Sequence, residues 1–223
     1  MLIFNEETHT YSLENTTLQS VSSVVESQFK KFNADIVSAQ LAKTKSNDRG
    51  SRYYGMTRDD IIKMWNENGR QSREMGLQLH RNIEQFYKYG EQPSDTDPIE
   101  WKQFLQFNLD HPDWLCIGNE VQVHNNKIAG TIDAIFRTPE GVVLVDWKRC
   151  KSIDFSGYGN GNGVMKHVPD CNYSKYSLQL SLYRRLIGID ILHCYIIQLH
   201  PELDNYQKIK AQNYDIEVEQ LIN

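Results

Sequence analysis

Two aspartates and a lysine lie on the two arms of a predicted β-hairpin in the middle of the chain. Asp133 is in the first arm, Asp146 and Lys148 are in the second, and the segment Thr138–Gly141 joins them. Val, Ile and Phe dominate both arms, and a Pro/Gly segment between two such runs is typical of a hairpin turn. If the arms pair as predicted, the three charged side chains come close together.

The register of this hairpin decides what chemistry the three residues could do. A turn centred between Pro139 and Glu140 places Asp133 directly opposite Asp146, with Cβ atoms about 5 Å apart on one face. Lys148 follows Asp146 by two residues and points to the same face. Opposed carboxylates repel unless a cation or a shared proton lies between them. Because carboxylate oxygens suit Mg²⁺ or Mn²⁺, the hairpin predicts a metal site beside a lysine.

The alternative interpretation is a pair of surface carboxylates on an edge hairpin, since charges on strands usually face solvent. Against it, four aliphatic residues precede Asp146 and Trp147 follows it. Such a strand is expected to be buried on both faces, and a buried acid needs a partner. The metal interpretation requires an even-membered turn, because a one-residue bulge would break the register.

A predicted helix from about Arg70 to Tyr89 carries a histidine at the margin of its apolar stripe. His80 and Glu84 are four residues apart and therefore share one face of that helix. A packed or surface histidine is the ordinary interpretation of this pattern. In the alternative, the two polar side chains reach a metal ion held by the sheet.

Composition limits the class of protein. Hydrophobic residues make up 39% of the 223 residues and charged residues 24%, which is typical of a globular core. No apolar run could span a membrane, and the first residues lack the basic start of a secretory signal. We therefore expect an intracellular, cytoplasmic protein with no membrane role. The four cysteines form no C-x-x-C pair, which argues against a zinc ribbon and favours free thiols in a reducing compartment.

The charge distribution is uneven. The net charge of −5 and the pI of about 5.8 argue against a non-specific nucleic-acid binder. From Lys30 to Arg81, however, eleven basic residues stand against six acidic ones. This segment fits a solvated helical face or a surface that follows phosphates. Within it, Arg49 and Arg52 accompany two tyrosines, a mixture that can hold single-stranded nucleic acid and that ordinary loops also show.

The predicted elements alternate between helices and strands. They are a hairpin over residues 2–13, a helix from Val24 with Ser23 as its cap, two helices on either side of Gly69, a helix over Pro98–His111, strands over Ile117–Val123, Lys127–Arg137 and Val142–Lys148, a helix over Tyr176–Leu186 and a strand over Ile191–Leu199. Residues 1–56 are predicted to be a hairpin and helix extension with a basic loop. Residues 57–223 are predicted to be the core, and the two parts to form one compact unit.

The order helix, three-strand meander, helix, strand resembles the PD-(D/E)XK nucleases, in the branch that includes RecB and the CRISPR-associated and mitochondrial exonucleases. It is similar in particular to the single-domain versions carried by large DNA viruses and phages. The motifs that carry the resemblance are Gly76–Glu84, Glu120, Gly130-Thr-Ile-Asp133, Asp146-Trp-Lys148 and Gln179-x-x-x-Tyr183, with Glu7–Tyr11 and Ser20–Ser23 at the start of the chain. In one respect the sequence departs from the family pattern, because Leu77 follows Gly76 where these nucleases usually have Thr or Ser. The clustered cysteines of the CRISPR-associated members are absent, so no iron–sulfur cluster is expected.

The resemblance implies an α/β (α+β) fold with a restriction-endonuclease-like αβββαβ core, whose central mixed sheet is flanked by helices, and with an N-terminal hairpin and helical extension. It implies that His80, Asp133, Asp146 and the backbone carbonyl of Trp147 hold one or two Mg²⁺ or Mn²⁺ ions. Lys148 would orient or deprotonate the attacking water and steady charge on the phosphate, with Asp133 and Asp146 as the other catalytic residues.

The resemblance also implies supporting residues. Glu84 and Glu120 would support the ligands or hold a second ion, and Gln179 and Tyr183 would support the site or touch the nucleic-acid backbone. The predicted nucleic-acid contacts are Arg73, Arg81, Arg49, Arg52 and Lys151.

The expected function is a metal-dependent deoxyribonuclease, an exonuclease on single-stranded or end-containing DNA, encoded by a virus or phage and acting in the host cell. The alternatives are an endonuclease of the same fold acting on DNA or RNA, a catalytically silent nucleic-acid-binding protein, and an interaction protein with no nucleic-acid role.

Overall fold

The computed structural model describes residues 2–5, 8, 10–14, 16–93 and 98–222. Glu7 and His9 of the Glu7–Tyr11 motif therefore lie outside the described residues. The strands are β1 (Leu2–Asn5), β2 (Thr10–Leu13), β3 (Thr16–Ser20), β4 (Leu115–His124), β5 (Ile128–Thr138), β6 (Gly141–Arg149), β7 (His193–Leu199) and β8 (Gln207–Lys210). The helices are α1 (Val21–Ser27), α2 (Ala34–Lys45), α3 (Arg58–Tyr89), α4 (Ile99–Asp110), α5 (Asn172–Ile187) and α6 (Asp215–Ile222), with a short 3₁₀ turn at Gly163–Met165.

The chain forms two compact units. The sheet unit consists of Met1–Lys30 and Leu79–Asn223, and the helical unit consists of Lys31–Gln78. The predicted boundary at residue 56 lies inside the helical unit. In the described part of the chain, no helix is both long enough and apolar enough to cross a membrane.

The strands form one mixed sheet in the order β1-β2-β3-β5-β6-β7-β8, and β4 pairs with β5. The β3–β5 and β6–β7 pairs are parallel, and the other pairs are antiparallel. The predicted N-terminal hairpin and the β4–β5–β6 meander are both present. This arrangement confirms the predicted fold class, a mixed sheet flanked by helices.

Strand β6 is buried on both faces, as its run of aliphatic residues predicted. Successive side chains of a strand point to opposite faces. Leu144 packs in the cluster that contains α1 and α5 residues, whereas Val143, Val145 and Trp147 pack in the cluster that contains residues of α4 and of the last turns of α3. The two hydrophobic cores therefore lie on opposite sides of β6, and the side chains of Asp146 and Arg149 on this strand are largely buried.

The predicted break at Gly69 was wrong, because α3 runs without interruption from Arg58 to Tyr89. A glycine within a helix costs about 1 kcal/mol relative to alanine. The residues around Gly69 are polar and exposed, and ion pairs of Arg70 with Glu67 and Glu74 support this stretch of the helix.

The predicted cap at Ser23 was also wrong. Helix α1 starts at Val21, and the side chain of Ser20 accepts a hydrogen bond from the backbone N–H of Ser23. The earlier start buries Val21, Val24 and Val25 on one face of the helix. The capping-box pattern gave no information about this burial.

Candidate metal centre

The hairpin has the predicted register. Arg137 pairs with Val142 and Ala134 with Val145, so the next positions along the two strands are Asp133 and Asp146. The carboxylate of Asp133 reaches across to β6, where its Oδ2 accepts a hydrogen bond of 2.9 Å from the backbone N–H of Trp147. The two aspartates therefore lie on adjoining strands with their carboxyl groups on the same part of the sheet.

Three potential ligands converge from three elements. The Nδ1 atom of His80 on α3 lies 3.7 Å from Oδ2 of Asp133 on β5 and 4.0 Å from Oε1 of Glu120 on β4. One ligand atom from each residue lies within 4.8 Å of the others. Two ligands about 2.1 Å from a single Mg²⁺ are at most about 4.2 Å apart, and both measured distances fall below that limit. His80, Glu120 and Asp133 could therefore hold a metal ion.

A backbone carbonyl orients the histidine. Nε2 of His80 lies 2.9 Å from the carbonyl oxygen of Trp147. A carbonyl can only accept, so Nε2 carries the proton and Nδ1 faces Asp133 and Glu120. Metal-binding histidines commonly donate their other N–H to a carbonyl in this way. The Trp147 carbonyl, predicted as a metal ligand, is thus the hydrogen-bond partner of His80 in this structure.

The charge around His80 favours a cation. Burial disfavours the imidazolium form, but the carboxylates of Asp133 and Glu120 outweigh burial and raise the pKa of His80 to about 9. The same negative field that holds a proton on the ring would attract a divalent ion to its Nδ1.

Asp146 and Lys148 form a buried pair beside this group. Nζ of Lys148 donates a 2.8 Å hydrogen bond to Oδ1 of Asp146, whose side chain is almost fully buried. Burial and the charge of Asp133 raise the pKa of Asp146, while Lys148 lowers it. The second oxygen, Oδ2, has no hydrogen-bond partner among the described residues. An orphaned carboxylate oxygen close to a second carboxylate fits the need for a cation, so the donor set suits a hard divalent ion.

Glu120 lies at an irregular point of β4. Its φ of 49° is in the left-handed region, which is uncommon for a residue other than glycine. The register of β4 against β5 shifts between Cys116 and Gly118, just before it. Strain of this kind costs of order 1 kcal/mol and concentrates at functional sites. The structure places Glu120 in the group with His80 and Asp133. The sequence had predicted Glu120 only as a supporting residue and His80 as a ligand.

A tyrosine that sequence reasoning missed contacts the lysine. Nζ of Lys148 lies 5.0 Å from the ring centroid of Tyr176 on α5. The hydroxyl of Tyr176 interacts with the thiol of Cys150, and burial raises the pKa of Tyr176 to about 12. Tyr176 precedes Gln179 by three residues and Tyr183 by seven, so helical spacing places it on the face of that predicted pair. This spacing is the signal that could have found it.

Gln179 and Tyr183 form a hydrogen-bonded pair behind the aspartates. Nε2 of Gln179 donates to the hydroxyl of Tyr183 at 3.1 Å. Tyr183 is buried, and burial together with the charge of Asp133 raises its pKa, so it remains a neutral phenol. Gly130 makes room for its ring, because a Cβ at that position would lie 2.6 Å from Cε1 of Tyr183.

The remaining predicted residues lie around this centre or in the helical unit. Glu84 pairs with Lys88 one turn further along α3. Arg81, next to His80, is exposed, and Lys151 pairs with Glu202. The exposed residues Arg49, Arg52 and Arg73 belong to the helical unit.

The sequence matches no family model and no curated protein. Among solved structures, the fold is similar to that of a protein named SSO0001, with 10% identity, a TM-score of 0.40 and coverage of 94% of this chain and 75% of that one. It is also similar to a phage-related exonuclease from Haemophilus somnus 129PT, with 11% identity, a TM-score of 0.40 and coverage of 92% and 88%. At this TM-score neither similarity bears on activity, which has to be argued from the side chains of the site.

Proposed function

We propose that the protein is a divalent-metal-dependent nuclease that hydrolyses phosphodiester bonds, acting as an exonuclease on single-stranded or end-containing DNA. The observation that carries this proposal is the convergence of His80, Glu120 and Asp133 beside the buried pair of Asp146 and Lys148. The motif resemblance supplies the reaction class and the preference for DNA.

The acidic and imidazole groups are proposed to hold Mg²⁺ or Mn²⁺. Nδ1 of His80 and one oxygen each of Glu120 and Asp133 form the primary set, and the orphaned Oδ2 of Asp146 supplies a further ligand. When bound, such an ion acts as a Lewis acid that lowers the pKa of a water and neutralises charge on the phosphate. The hydrogen bond from the backbone N–H of Trp147 fixes Oδ2 of Asp133, the same oxygen that lies 3.7 Å from Nδ1 of His80, and this oxygen has a second lone pair for the ion.

Lys148 is proposed to orient or deprotonate the attacking water and to stabilise charge on the phosphate. Its ammonium has a defined position, because Oδ1 of Asp146 accepts its hydrogen bond and the ring of Tyr176 lies beside it. Tyr176 is thus proposed as a positioning residue for Lys148. Gln179 and Tyr183 are proposed to support the aspartates from α5. The proposed phosphate contacts are Arg81, Lys151, Arg73, Arg49 and Arg52.

A cleavage assay with matched variants tests this function. The purified protein is incubated with end-labelled single-stranded DNA in Mg²⁺ or Mn²⁺, beside Asp146→Asn and Lys148→Ala. We expect each variant to lose at least about 100-fold in cleavage rate while still binding DNA. Glu140→Gln is the control, since this exposed carboxylate lies in the turn of the same hairpin. Undiminished cleavage by both site variants would reject the assignment.

The same assay separates the alternatives. Cleavage of linear but not circular single strands indicates an exonuclease, and cleavage of both indicates an endonuclease. A labelled RNA of the same sequence decides between DNA and RNA. DNA binding without cleavage in either metal indicates a catalytically silent binding protein.

A further inference from the structure

Three aromatic rings and an arginine form a contiguous cluster in the helical unit. The ring centroid of Trp65 on α3 lies 5.5 Å from that of Phe32 and 6.3 Å from that of Tyr53. The guanidinium carbon of Arg52 lies 4.8 Å from the centroid of Tyr53. We refer to Phe32, Arg52, Tyr53 and Trp65 as the aromatic patch. Its members come from three segments that are distant in sequence, so folding of the unit assembles it.

The patch presents rings to solvent. Phe32 is 68% exposed, and the rings of Tyr53 and Trp65 are half-buried. The polar groups of the patch bond to one another, because the hydroxyl of Tyr53 accepts from Nη2 of Arg52 at 2.6 Å and from Nε1 of Trp65 at 3.3 Å. These bonds fix the rings of Tyr53 and Trp65, while the exposed surface of Phe32 stays apolar. An exposed apolar ring that is contiguous with two further rings indicates a binding surface, whereas a single exposed apolar side chain does not.

The charge of the helical unit selects the kind of partner. Its six acidic residues all have partners: Asp35 and Asp59 pair with Arg58, Asp48 with Lys45, Glu67 and Glu74 with Arg70, and Asp60 bonds to Thr57. Among the described residues, the other six cations of this unit pair with no carboxylate. These cations are Lys31, Lys43, Arg49, Arg52, Lys63 and Arg73. The unit is therefore positively charged within an acidic protein, and two of the unpaired cations flank or belong to the patch.

We propose that the aromatic patch is a binding surface for single-stranded nucleic acid. Unpaired bases would stack on Phe32 and the neighbouring rings, and the backbone phosphates would contact Arg52, Lys31 and Arg49. Stacking on aromatic side chains beside basic residues is how proteins hold single strands without sequence preference. A duplex hides the faces of its bases, so it can use only the cations. The inference deepens the proposed function by naming the surface that would hold the single strand.

Binding measurements on the full chain test the patch apart from catalysis. Fluorescence anisotropy follows a labelled 20-nucleotide single strand and the matched duplex in EDTA, so that no metal-dependent cleavage occurs. Phe32→Ala is expected to weaken single-strand binding about tenfold and to change duplex binding less than twofold. Phe32→Tyr keeps a ring and should restore the affinity. Because Phe32 is largely exposed, truncation opens no core.

Two control variants separate local from general effects. Ile36→Ala removes a side chain of the same unit that is 65% exposed but has no ring. Lys45→Ala changes the net charge as Arg52→Ala does, but Lys45 is paired with Asp48. Arg52→Ala should weaken binding more than Lys45→Ala and should reduce the dependence of binding on salt concentration. Ile36→Ala should leave the affinity within twofold.

The outcomes are decisive in each direction. The patch is rejected by absent single-strand binding, by equal losses for single strand and duplex, or by an Ile36→Ala loss as large as that of Phe32→Ala. Selective capture of another protein in place of the oligonucleotide would also reject it. If patch-dependent binding is found but Mg²⁺ and Mn²⁺ support no cleavage, the nuclease proposal fails and the patch stands. If cleavage occurs but the patch variants bind normally, only the patch fails.

Discussion

Asp133→Asn tests the metal centre most directly, because it removes one charge while conserving shape. An asparagine oxygen can still accept the hydrogen bond from the backbone N–H of Trp147, which holds Asp133 at 2.9 Å. The substitution also removes the negative charge that raises the pKa of both His80 and Asp146. We therefore expect a folded protein whose affinity for Mn²⁺ is much lower.

The size of the effect follows from linkage between metal binding and unfolding. At a Mn²⁺ concentration 100 times its Kd, binding stabilises the folded protein by about 2.7 kcal/mol. For a chain of this length, 1 kcal/mol shifts Tm by about 2–4 °C, so Mn²⁺ should raise Tm by about 5–11 °C. If losing one carboxylate weakens binding about 100-fold, the same concentration gives about 0.4 kcal/mol and a shift near 1 °C.

Thermal unfolding in EDTA and in a Mn²⁺ series measures this shift for the wild type, Asp133→Asn and Glu140→Gln. Glu140 is exposed in the turn of the same hairpin, so its variant should keep the wild-type shift. An equal Mn²⁺ shift in the wild type and Asp133→Asn would refute the metal centre. A shift that Glu140→Gln also loses would show general attraction to an acidic protein instead.

Three further predictions concern the same region. Because the pKa of His80 is raised to about 9, a metal ion must displace the proton of the ring, so the affinity for Mn²⁺ should rise by up to about tenfold per pH unit from pH 6 to 8. Isothermal titration calorimetry at several pH values should find a smaller pH dependence of the affinity in His80→Ala. Gly130→Ala should cost about 1–3 kcal/mol, because the new Cβ would lie 2.6 Å from the ring of Tyr183; urea unfolding measures the cost, and Tyr183→Leu in the same chain should relieve it. Tyr176→Phe keeps the ring beside Lys148 and should cleave DNA nearly as the wild type does, whereas Tyr176→Leu should lower kcat with little change in KM; equal kcat values in the two variants would exclude the ring contact as the cause.

Much of the hairpin could be predicted because turn chemistry and strand periodicity are local. The Pro139–Glu140 turn has an even number of residues, and an even turn fixes which residues face each other across the two arms. The apolar run before Asp146 predicted burial of β6 on both faces, as observed. These conclusions depend only on residues that are close together in the chain, so the sequence alone is sufficient to predict them.

Elements whose form depends on tertiary packing were less predictable. Local propensity favoured a break at Gly69, but α3 continues through it. The start of α1 depends on where Val21 is buried, and that depends on strands far away in the sequence. Tyr176 has no motif of its own. Its spacing from Gln179 and Tyr183 indicates its face of α5, but only the structure shows that its ring contacts Lys148.

Glu120 shows most clearly why the site could not be fully assigned from spacing. Strand alternation gives the face of a residue only where the strand is regular, and β4 is irregular just before Glu120. The left-handed backbone at Glu120 then sets the direction of its side chain, which alternation cannot predict. The orientation of His80 likewise depends on a carbonyl 67 residues away in sequence. The candidate metal site is assembled from a helix, an irregular strand and a hairpin, so the packing of those elements specifies it. The order of motifs can propose its members but not rank them.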